Sequence, residues 1–355
     1  MTTTRAMVLR GFDRGFSLED ITLDGPRPDE VLVAIAGAGM CHTDMLPRDP
    51  EMGAALAPIV LGHEGSGVVT EVGTAVTGIR PGDHVLLSFA SCGACRECLQ
   101  GGPAYCEEFE LRNVSGGYAD GSTSAVDAEG QPVRNRWFGQ SSFARHAVAA
   151  QRDVVVVDPD LPLALLGPLG CGLQTGAGSV LNEMRLAPGQ SIAVFGAGPV
   201  GLAAVMAAKL AGASDIVVVD LLQSRLEMAT ELGATRTYQA VTDEVRGMDF
   251  SLETTAVEKV VGDAIAVLGR RGKAVLVGVG AGMLTVHPSQ LAGRTVTYTL
   301  EGGAVPKVFL PRLIEFWRDG RFPFDRLIRT YPLDDIDAAE RDSLSGATIK
   351  PVLLP

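Results

Sequence analysis

The sequence lacks any excess of positive charge. Its 355 residues include 30 Lys and Arg against 42 Asp and Glu, so the net charge is −12, and the pI is about 4.9. A protein that binds nucleic-acid phosphates needs a cationic surface, so this balance argues against nucleic acid as a partner. Repeats and low-complexity segments are also missing. With 46% apolar and 20% charged residues, the composition is that of a folded globular protein.

Signals for secretion and for a membrane span are missing as well. The N-terminus has no long apolar core followed by a small-residue cleavage site, so the sequence predicts a cytoplasmic protein. Residues 189–208 carry no charge, but three glycines and a proline interrupt them between positions 196 and 201. Such an interruption favours a strand, a tight turn and a new helix over a membrane span.

Two patterns of secondary structure divide the chain. Short alternating strands with Gly, Pro and Asp turns fill about the first 170 residues, whereas apolar runs alternate with helical stretches between about 175 and 300. The second pattern is typical of parallel strands joined by helical crossovers, which form a doubly wound α/β sheet. The remaining residues return to a mixed character. We therefore predict a mainly β domain from residues 1–172 and 301–355, and a Rossmann domain from residues 173–300.

A glycine-rich loop follows the first apolar strand of the predicted Rossmann domain and precedes a helix. It reads Phe195-Gly196-Ala197-Gly198-Pro199-Val200-Gly201. In this G-x-G-x-x-G pattern Gly196 permits a tight turn, Gly198 admits a pyrophosphate, and Gly201 lets helix and strand approach closely. The start of the helix, at Pro199 and Val200, offers free N–H groups to the phosphates. The loop therefore predicts a dinucleotide site.

An acidic residue at the end of the next strand indicates which dinucleotide. Asp220 follows the apolar run Ile216-Val217-Val218-Val219, about twenty residues after the loop. A carboxylate at this position accepts hydrogen bonds from the ribose hydroxyls and repels a 2′-phosphate, so NAD is favoured over NADP. Arg225 is a candidate for the ribose edge; the alternative is a solvated helix charge.

Six cysteines occur in the chain, and in a cytoplasmic protein they are typical of metal ligands or nucleophiles rather than of disulfides. Four of them lie within fifteen residues: Cys92, Cys95, Cys98 and Cys106. Four thiolates with no open position form a closed tetrahedral zinc site, which fixes a loop. An iron–sulfur cluster uses similar spacing and is the alternative.

The other two cysteines, Cys41 and Cys171, lie far apart in glycine-rich contexts. Between them lies His63, in Gly62-His63-Glu64-Gly65-Ser66-Gly67. Two thiolates and an imidazole that leave a fourth position for water or substrate form an open, catalytic zinc site. Spacing alone leaves a core thiol and a buried histidine as the alternative.

Together these residues resemble the zinc-dependent medium-chain alcohol dehydrogenases over essentially the whole chain. The segment Gly62-His63-Glu64-x2-Gly67-x5-Gly73-x2-Val76 is similar to the family signature around the zinc histidine. The four-cysteine lobe and the glycine-rich loop are similar to the structural zinc site and the NAD fold of the family. Cys41-His42-Thr43-Asp44 and residues 169–178 resemble the aryl (benzyl) alcohol dehydrogenases in particular. The resemblance implies that the mainly β domain is GroES-like.

The resemblance also implies the roles of single residues near the catalytic zinc. It assigns three ligands to that zinc: Cys41, His63 and Cys171. Glu64 would sit behind the metal or bind it briefly, and Asp44 would orient the zinc histidine. Thr43 would hydrogen-bond the substrate oxygen and start the proton relay.

Three further residues would contact the cofactor. His42 and Lys350 would bind its phosphates, and Val279 would lie beside the nicotinamide. Two positions depart from other family members. Leu46 stands where many have a relay histidine, so the relay must end through water or His42, and Ser88 stands where animal members often have a bulky aromatic residue. The smaller serine suggests room for a ring-bearing alcohol.

The reaction that the resemblance implies is the reversible oxidation of a primary aromatic or allylic alcohol to its aldehyde. It would use NAD and two zinc ions per subunit, in a homo-oligomer (dimer or tetramer) without a membrane partner. The alternatives are a polyol or secondary-alcohol dehydrogenase of the same fold, a nicotinoprotein that retains NAD, and a non-catalytic dinucleotide sensor. For Trp137, Phe138 and Trp317 the alternatives are the pocket, the core and a subunit contact, and the core is favoured.

Overall fold

The computed structural model describes residues 1–280 and 284–355. Its strands, in chain order, are β1 (Thr2–Leu9), β2 (Phe16–Leu23), β3 (Glu30–Gly39), β4 (Ile59–Val60), β5 (Glu64–Val72), β6 (His84–Leu87), β7 (Ala125–Val126), β8 (His146–Ala150), β9 (Val154–Val157), β10 (Ser191–Phe195), β11 (Asp215–Val219), β12 (Arg236–Tyr238), β13 (Met248–Glu253), β14 (Leu268–Leu276), β15 (Thr295–Tyr298), β16 (Ile328–Pro332) and β17 (Lys350–Leu354). Its α-helices are α1 (Pro50–Leu56), α2 (Arg96–Leu99), α3 (Phe109–Asn113), α4 (Gly172–Gly178), α5 (Pro199–Ala211), α6 (Gln223–Leu232), α7 (Glu258–Ala266), α8 (Pro306–Arg318) and α9 (Ile336–Leu344). None of the helices in these two ranges has the length and apolar character needed to cross a membrane.

The chain forms two compact units. The first unit contains Met1–Cys171, Val305–Pro311 and Leu327–Pro355, and the second contains Gly172–Ala304 and Arg312–Arg326. The first unit is built mainly from strands and the second from alternating strands and helices. The predicted fold class, a Rossmann domain together with a mainly β domain, is confirmed, whereas the predicted domain boundaries stay a prediction.

Two sheets form the first unit. One has the order β16-β17-β3-β5-β6-β9, with β8 paired to β3, and the other has the order β4-β1-β2-β7. Strand β3 is buried along almost its whole length. It pairs antiparallel with β5, β8 and β17. Gly39, its last residue, lies opposite both Glu64 of β5 and Val352 of β17. The end of β3 and the starts of β5 and β17 therefore meet at one edge of this sheet.

The second unit contains one parallel sheet with the order β12-β11-β10-β13-β14-β15. Its central strands are apolar and β-branched, as strands covered on both faces must be. Helices α5, α6 and α7 connect successive parallel strands. Counted from β10, the strand order is 3-2-1-4-5-6, which reverses direction between β10 and β13. Ligands bind at the carboxyl ends of the strands beside such a reversal, and the glycine-rich loop follows β10.

Asp153 is a buried carboxylic acid of the first unit. Its side chain is 5% exposed, and its Oδ1 accepts a hydrogen bond from the Ser91 N–H at 3.3 Å. Burial raises the pKa of Asp153 to about 7, against the attraction of Arg152 and Arg136. An unfolded chain releases this proton near pH 3.9. The stability that the proton confers is therefore fully present below about pH 4 and is lost as the pH rises to about 7.

We expect Asp153→Asn to remove this pH dependence. Relative to wild type, the free energy of unfolding of the variant should rise between pH 5 and pH 8 by up to about 3 kcal/mol, since each of about two pH units contributes about 1.4 kcal/mol. Urea unfolding of both proteins at both pH values measures the difference. A pH dependence that is the same in variant and wild type would contradict the prediction.

Candidate active site

A cluster of metal-ligand side chains lies where β3, β5 and the turn Gly167–Gly170 meet. The ligand atoms of four residues all lie within 4.8 Å of one another: Cys41, His63, Glu64 and Cys171. Close backbone packing brings Cys171 into the cluster, because a Cβ at Gly167 would come within 2.1 Å of the Glu64 carbonyl oxygen, and one at Gly170 within 2.1 Å of the Leu87 carbonyl oxygen. Only glycine permits these approaches. The structure thus brings together the four residues that the resemblance assigned to the catalytic zinc.

The environment of Cys41 suits metal binding, whereas His63 must release a proton when it binds a metal ion. A hydrogen bond with Cys171 lowers the pKa of Cys41 well below its usual value, and His63 and Lys350 contribute in the same direction. Burial by itself would lower the pKa of His63, but the nearby Asp44 carboxylate raises it well above the usual value. The thiol of Cys41 is therefore disposed to be a thiolate, the form that binds metal.

The imidazole of His63 has one engaged nitrogen and one buried nitrogen without a partner. Its Nδ1 lies 2.7 Å from Asp44 Oδ1, and both side chains are fully buried. Its Nε2 has no hydrogen-bond partner among the described residues. A buried polar atom without a partner is costly. A metal ion held by Nε2 and the neighbouring thiolates satisfies this atom, so the residues present fit an open zinc site.

Glu64 and Lys350 form an ion pair that is completely buried in the first unit. The Lys350 Nζ lies 2.7 Å from Glu64 Oε1 and 2.5 Å from Oε2, and it also donates to the Met40 carbonyl at 3.0 Å. Burial opposes the positive charge, but Glu64 and Cys41 hold the pKa of Lys350 above its usual value. Lys350 was expected to contact a cofactor phosphate. Its side chain is only 1% exposed, and its contacts are those of a counter-ion to Glu64.

Four other predicted positions lie close to the cluster in sequence or in space. His42 is exposed and Thr43 is half-buried, with its Oγ1 3.8 Å from Cys41 Sγ. Leu46 lies in the 3₁₀ helix His42–Arg48 and carries no titratable group. Ser88 is buried and donates to the Gly170 carbonyl at 2.7 Å. Ser88 therefore supports the turn that carries Cys171.

The four cysteines of the lobe also converge. The Sγ atoms of Cys92, Cys95, Cys98 and Cys106 lie within 4.8 Å of one another, and none forms a disulfide. Backbone N–H groups point at the sulfurs, for example Cys92 N–H at Cys106 Sγ (3.2 Å). The N–H groups of Cys98 and Glu107 lower the pKa of Cys95 to about 6, whereas burial raises the pKa of Cys98 to about 12. Four thiols without an open position suit a closed zinc site.

The glycine-rich loop of the second unit has the geometry that a dinucleotide needs. Gly196 has φ +92°, a value that favours glycine, and a Cβ at Gly201 would come within 1.9 Å of the Gly196 carbonyl oxygen. Gly198 precedes α5 directly, and nothing lies within 4 Å of the place its Cβ would occupy. The N-terminus of the helix and this open space fit a pyrophosphate.

The remaining predicted cofactor residues also lie in the second unit. Asp220 accepts hydrogen bonds from the Ala197 N–H at 2.6 Å and from the Leu222 N–H at 2.9 Å. Arg225 was expected at the ribose edge, but it is buried, donates to the Ala197 carbonyl at 3.3 Å, and has its pKa lowered by burial. Arg225 thus braces the loop from within the unit. Val279 is 42% exposed.

Two buried side chains beside the metal-ligand cluster of the first unit, Gln140 and Trp137, make contacts that the sequence did not predict. Gln140 donates to the His63 carbonyl at 3.0 Å and accepts from the Gly65 N–H at 2.9 Å. Trp137 donates from Nε1 to Asp44 Oδ1 at 3.1 Å. Both lie more than seventy residues from their partners in sequence. The sequence carries no local signal for either contact.

Comparison with known proteins extends these observations. Residues 27–158 match the alcohol dehydrogenase GroES-like domain, and residues 199–313 match the zinc-binding dehydrogenase family. The chain is 43% identical to geraniol dehydrogenase of Castellaniella defragrans (99% of this chain, 98% of the relative) and 35% identical to an NDMA-dependent alcohol dehydrogenase of Amycolatopsis methanolica (99% and 98%). The crystal structure of benzyl alcohol dehydrogenase from Acinetobacter calcoaceticus superposes with a TM-score of 0.95 at 39% identity, covering 100% of this chain and 99% of that one.

These matches extend over the whole length of the chain and include both units. The two metal-ligand clusters that carry the resemblance lie in the first unit, and the glycine-rich loop lies in the second. The chain is an alcohol dehydrogenase and belongs to the zinc-dependent medium-chain alcohol dehydrogenase family.

Proposed function

We propose that the protein oxidises a primary aromatic or allylic alcohol reversibly to its aldehyde, with NAD and two zinc ions per subunit. The observation that carries the proposal is the convergence of Cys41, His63, Glu64 and Cys171 within 4.8 Å, around a buried His63 Nε2 that has no partner in the described chain. A binding protein or scaffold has no need of an open metal site. The second zinc belongs to the four-cysteine lobe.

The residues of the first unit then have separate tasks. Cys41, His63 and Cys171 would hold a zinc ion, which would supply Lewis-acid chemistry at the substrate oxygen, and the glycine-rich loop would hold NAD, which would supply the hydride acceptor. Thr43 hydrogen-bonds the substrate hydroxyl, and its Oγ1 accepts that proton as the threonine gives its own hydroxyl proton onward. Asp44 holds the ring of His63 through Nδ1, and Lys350 balances the charge of Glu64. Because Leu46 cannot carry a proton, the exposed His42 or water passes it to solvent.

The preference for NAD is proposed from Asp220 and the loop beside it. The carboxylate lies at the end of β11, next to Ala197 of the glycine-rich loop. A negative charge there repels a 2′-phosphate. Residues 173–300 form the NAD domain in this proposal, and residues 1–172 with 301–355 form the catalytic domain.

The substrate class is proposed from two relatives. One is named geraniol dehydrogenase and the other benzyl alcohol dehydrogenase. In both alcohols the reacting carbon is next to a π system. A third relative is named NDMA-dependent, which favours, as a second candidate, a nicotinoprotein that keeps its NAD bound.

The proposed substrate class and the proposed preference for NAD can be tested by steady-state kinetics. With NAD and zinc, we expect kcat/KM for benzyl alcohol, cinnamyl alcohol or geraniol to exceed that for ethanol and sorbitol by at least about tenfold, because binding of the ring or alkene adds apolar burial. NADP should support a lower rate. Initial rates of NADH or NADPH formation measure both. Turnover of sorbitol or ethanol alone would move the protein to another branch of the family, and activity only with added NDMA would favour the nicotinoprotein.

Gly198 and Gly201 of the glycine-rich loop provide a matched pair of substitutions that tests the proposed pyrophosphate site. Gly198→Ala places a methyl in the open space proposed for the pyrophosphate, so we expect an unchanged thermal midpoint and an NADH Kd raised at least about tenfold. Gly201→Ala forces a methyl against the Gly196 carbonyl, so we expect destabilisation by about 1–3 kcal/mol. Calorimetry and NADH fluorescence titration measure both effects. NADH binding by Gly198→Ala at wild-type affinity would contradict the proposed site.

The two proposed zinc sites can be tested by the metal content of cysteine variants. Wild type should contain two zinc ions per chain, and Cys98→Ala and Cys171→Ala should each contain one. Cys171→Ala should lose turnover and keep its fold, whereas Cys98→Ala should lose thermal stability, because a structural metal contributes folding free energy. Elemental analysis with thermal unfolding measures this. Iron and acid-labile sulfide in the lobe would instead identify a cluster.

A further inference from the structure

The buried carboxylate of Asp44 accepts hydrogen bonds from four donors. Its Oδ2 accepts from the Cys41 N–H at 3.0 Å. Its Oδ1 accepts from the Gly62 N–H at 3.1 Å, contacts His63 Nδ1 at 2.7 Å, and accepts from the Trp137 indole N–H at 3.1 Å. Three of these groups belong to the metal-site segments at the ends of β3 and β5. Trp137 comes from a distant turn and is the one side-chain donor apart from the histidine.

Trp137 is itself held rigidly in that turn. It is 0% exposed, and its backbone N–H donates to Ser141 Oγ at 2.8 Å. Ser141 Oγ in turn donates to the Val60 carbonyl of β4 at 2.6 Å. The indole N–H is therefore fixed in place before any ligand arrives.

Phe138, the residue after Trp137, packs against one face of the His63 ring. The ring of Phe138 stacks on the imidazole of His63, with centroids 4.4 Å apart and planes inclined by 27°. Phe138 has φ +49°, a left-handed value that costs free energy in a residue with a Cβ. The Trp-Phe pair thus contacts the histidine twice, through its carboxylate partner and through its ring.

A buried carboxylate needs its donors. Removal of one donor leaves a desolvated oxygen lone pair, and a carboxylate that holds a metal histidine then loses part of its own anchorage. Such partners of metal ligands commonly contribute about 10–100-fold to metal affinity. Of the four donors, the indole is the one whose deletion leaves the backbone and the histidine unchanged.

We propose that Trp137 is a positioning residue of the metal centre: its indole N–H fixes Asp44, which fixes the ring of His63 with Nε2 available to the ion. This inference rests on the open zinc site proposed above. It gives Trp137 a function beyond packing in the buried core. Phenylalanine would fill the same core without holding the carboxylate.

The chain contains its own matched control. Its other tryptophan, Trp317, also donates from Nε1 to an aspartate, Asp325 Oδ1, at 2.8 Å in the second unit. We expect Trp137→Phe to release one zinc ion to the dye 4-(2-pyridylazo)resorcinol roughly tenfold faster than wild type, and Trp317→Phe to release it at the wild-type rate. The phase that belongs to the open site is the one missing in Cys171→Ala. Equal release rates in the two tryptophan variants would overturn the inference.

A second variant separates the hydrogen bond from the packing. Incorporation of 3-benzothienylalanine for tryptophan in the Trp317→Phe protein changes Trp137 alone, and replaces its N–H by sulfur with almost the same shape. We expect faster metal release and an altered visible spectrum of the cobalt(II)-loaded open site, with a folded protein by circular dichroism. A wild-type cobalt spectrum and release rate would show that Trp137 is only a packing residue.

The outcomes also separate this inference from the proposed function. Absence of the Cys171-dependent zinc in wild type would overturn both. Zinc that is present in wild type and released equally fast by Trp137→Phe and Trp317→Phe would overturn only the role of Trp137. If Trp137→Phe does not fold, the benzothienylalanine protein decides the question.

Discussion

The pairing of β3 with β5, in a register that sets Gly39 opposite Glu64, is the constraint on which the candidate active site depends. A Cβ on Gly39 would come within 2.0 Å of Glu64 Oε2, so a larger residue would displace this carboxylate. The register puts Cys41, just beyond β3, beside His63, just before β5. Strand β17 pairs with the same residue of β3 and brings Lys350 to Glu64. A slip of one residue would turn alternate side chains to the other face and separate the donors.

This register concentrates anionic groups in a buried place, and the surroundings neutralise them by different means. Lys350 balances Glu64, and hydrogen-bond donors satisfy Asp44. Lys350 and His63 lower the pKa of Cys41 and so stabilise its thiolate. Because unpaired buried charge is costly, the proposed zinc ion would add the positive charge that such a site needs. Its binding would then be coupled to the stability of the fold.

What the sequence could predict follows from how local each signal is. The four-cysteine lobe and the glycine-rich loop each lie within fifteen residues, so spacing alone indicated their chemistry, and the strand–turn–helix around Gly196 is the element that the structure shows. Cys41 and Cys171 are far apart in sequence, so spacing left their meeting as one of two interpretations, and the resemblance favoured it. The contact of Trp137 with Asp44 spans 93 residues and depends on how a turn packs against a strand end. No periodicity records such packing.

Burial determines the contacts of Lys350 and Arg225. Both were expected at the cofactor, yet both are buried, where a cation must find partners inside its own unit. In the second unit, the N–H groups at the start of α5 are suited to attract a phosphate. The Asp220 carboxylate, which is proposed to select NAD, also accepts a hydrogen bond from the Ala197 N–H of the glycine-rich loop. Under that proposal, cofactor preference and loop geometry depend on the same side chain.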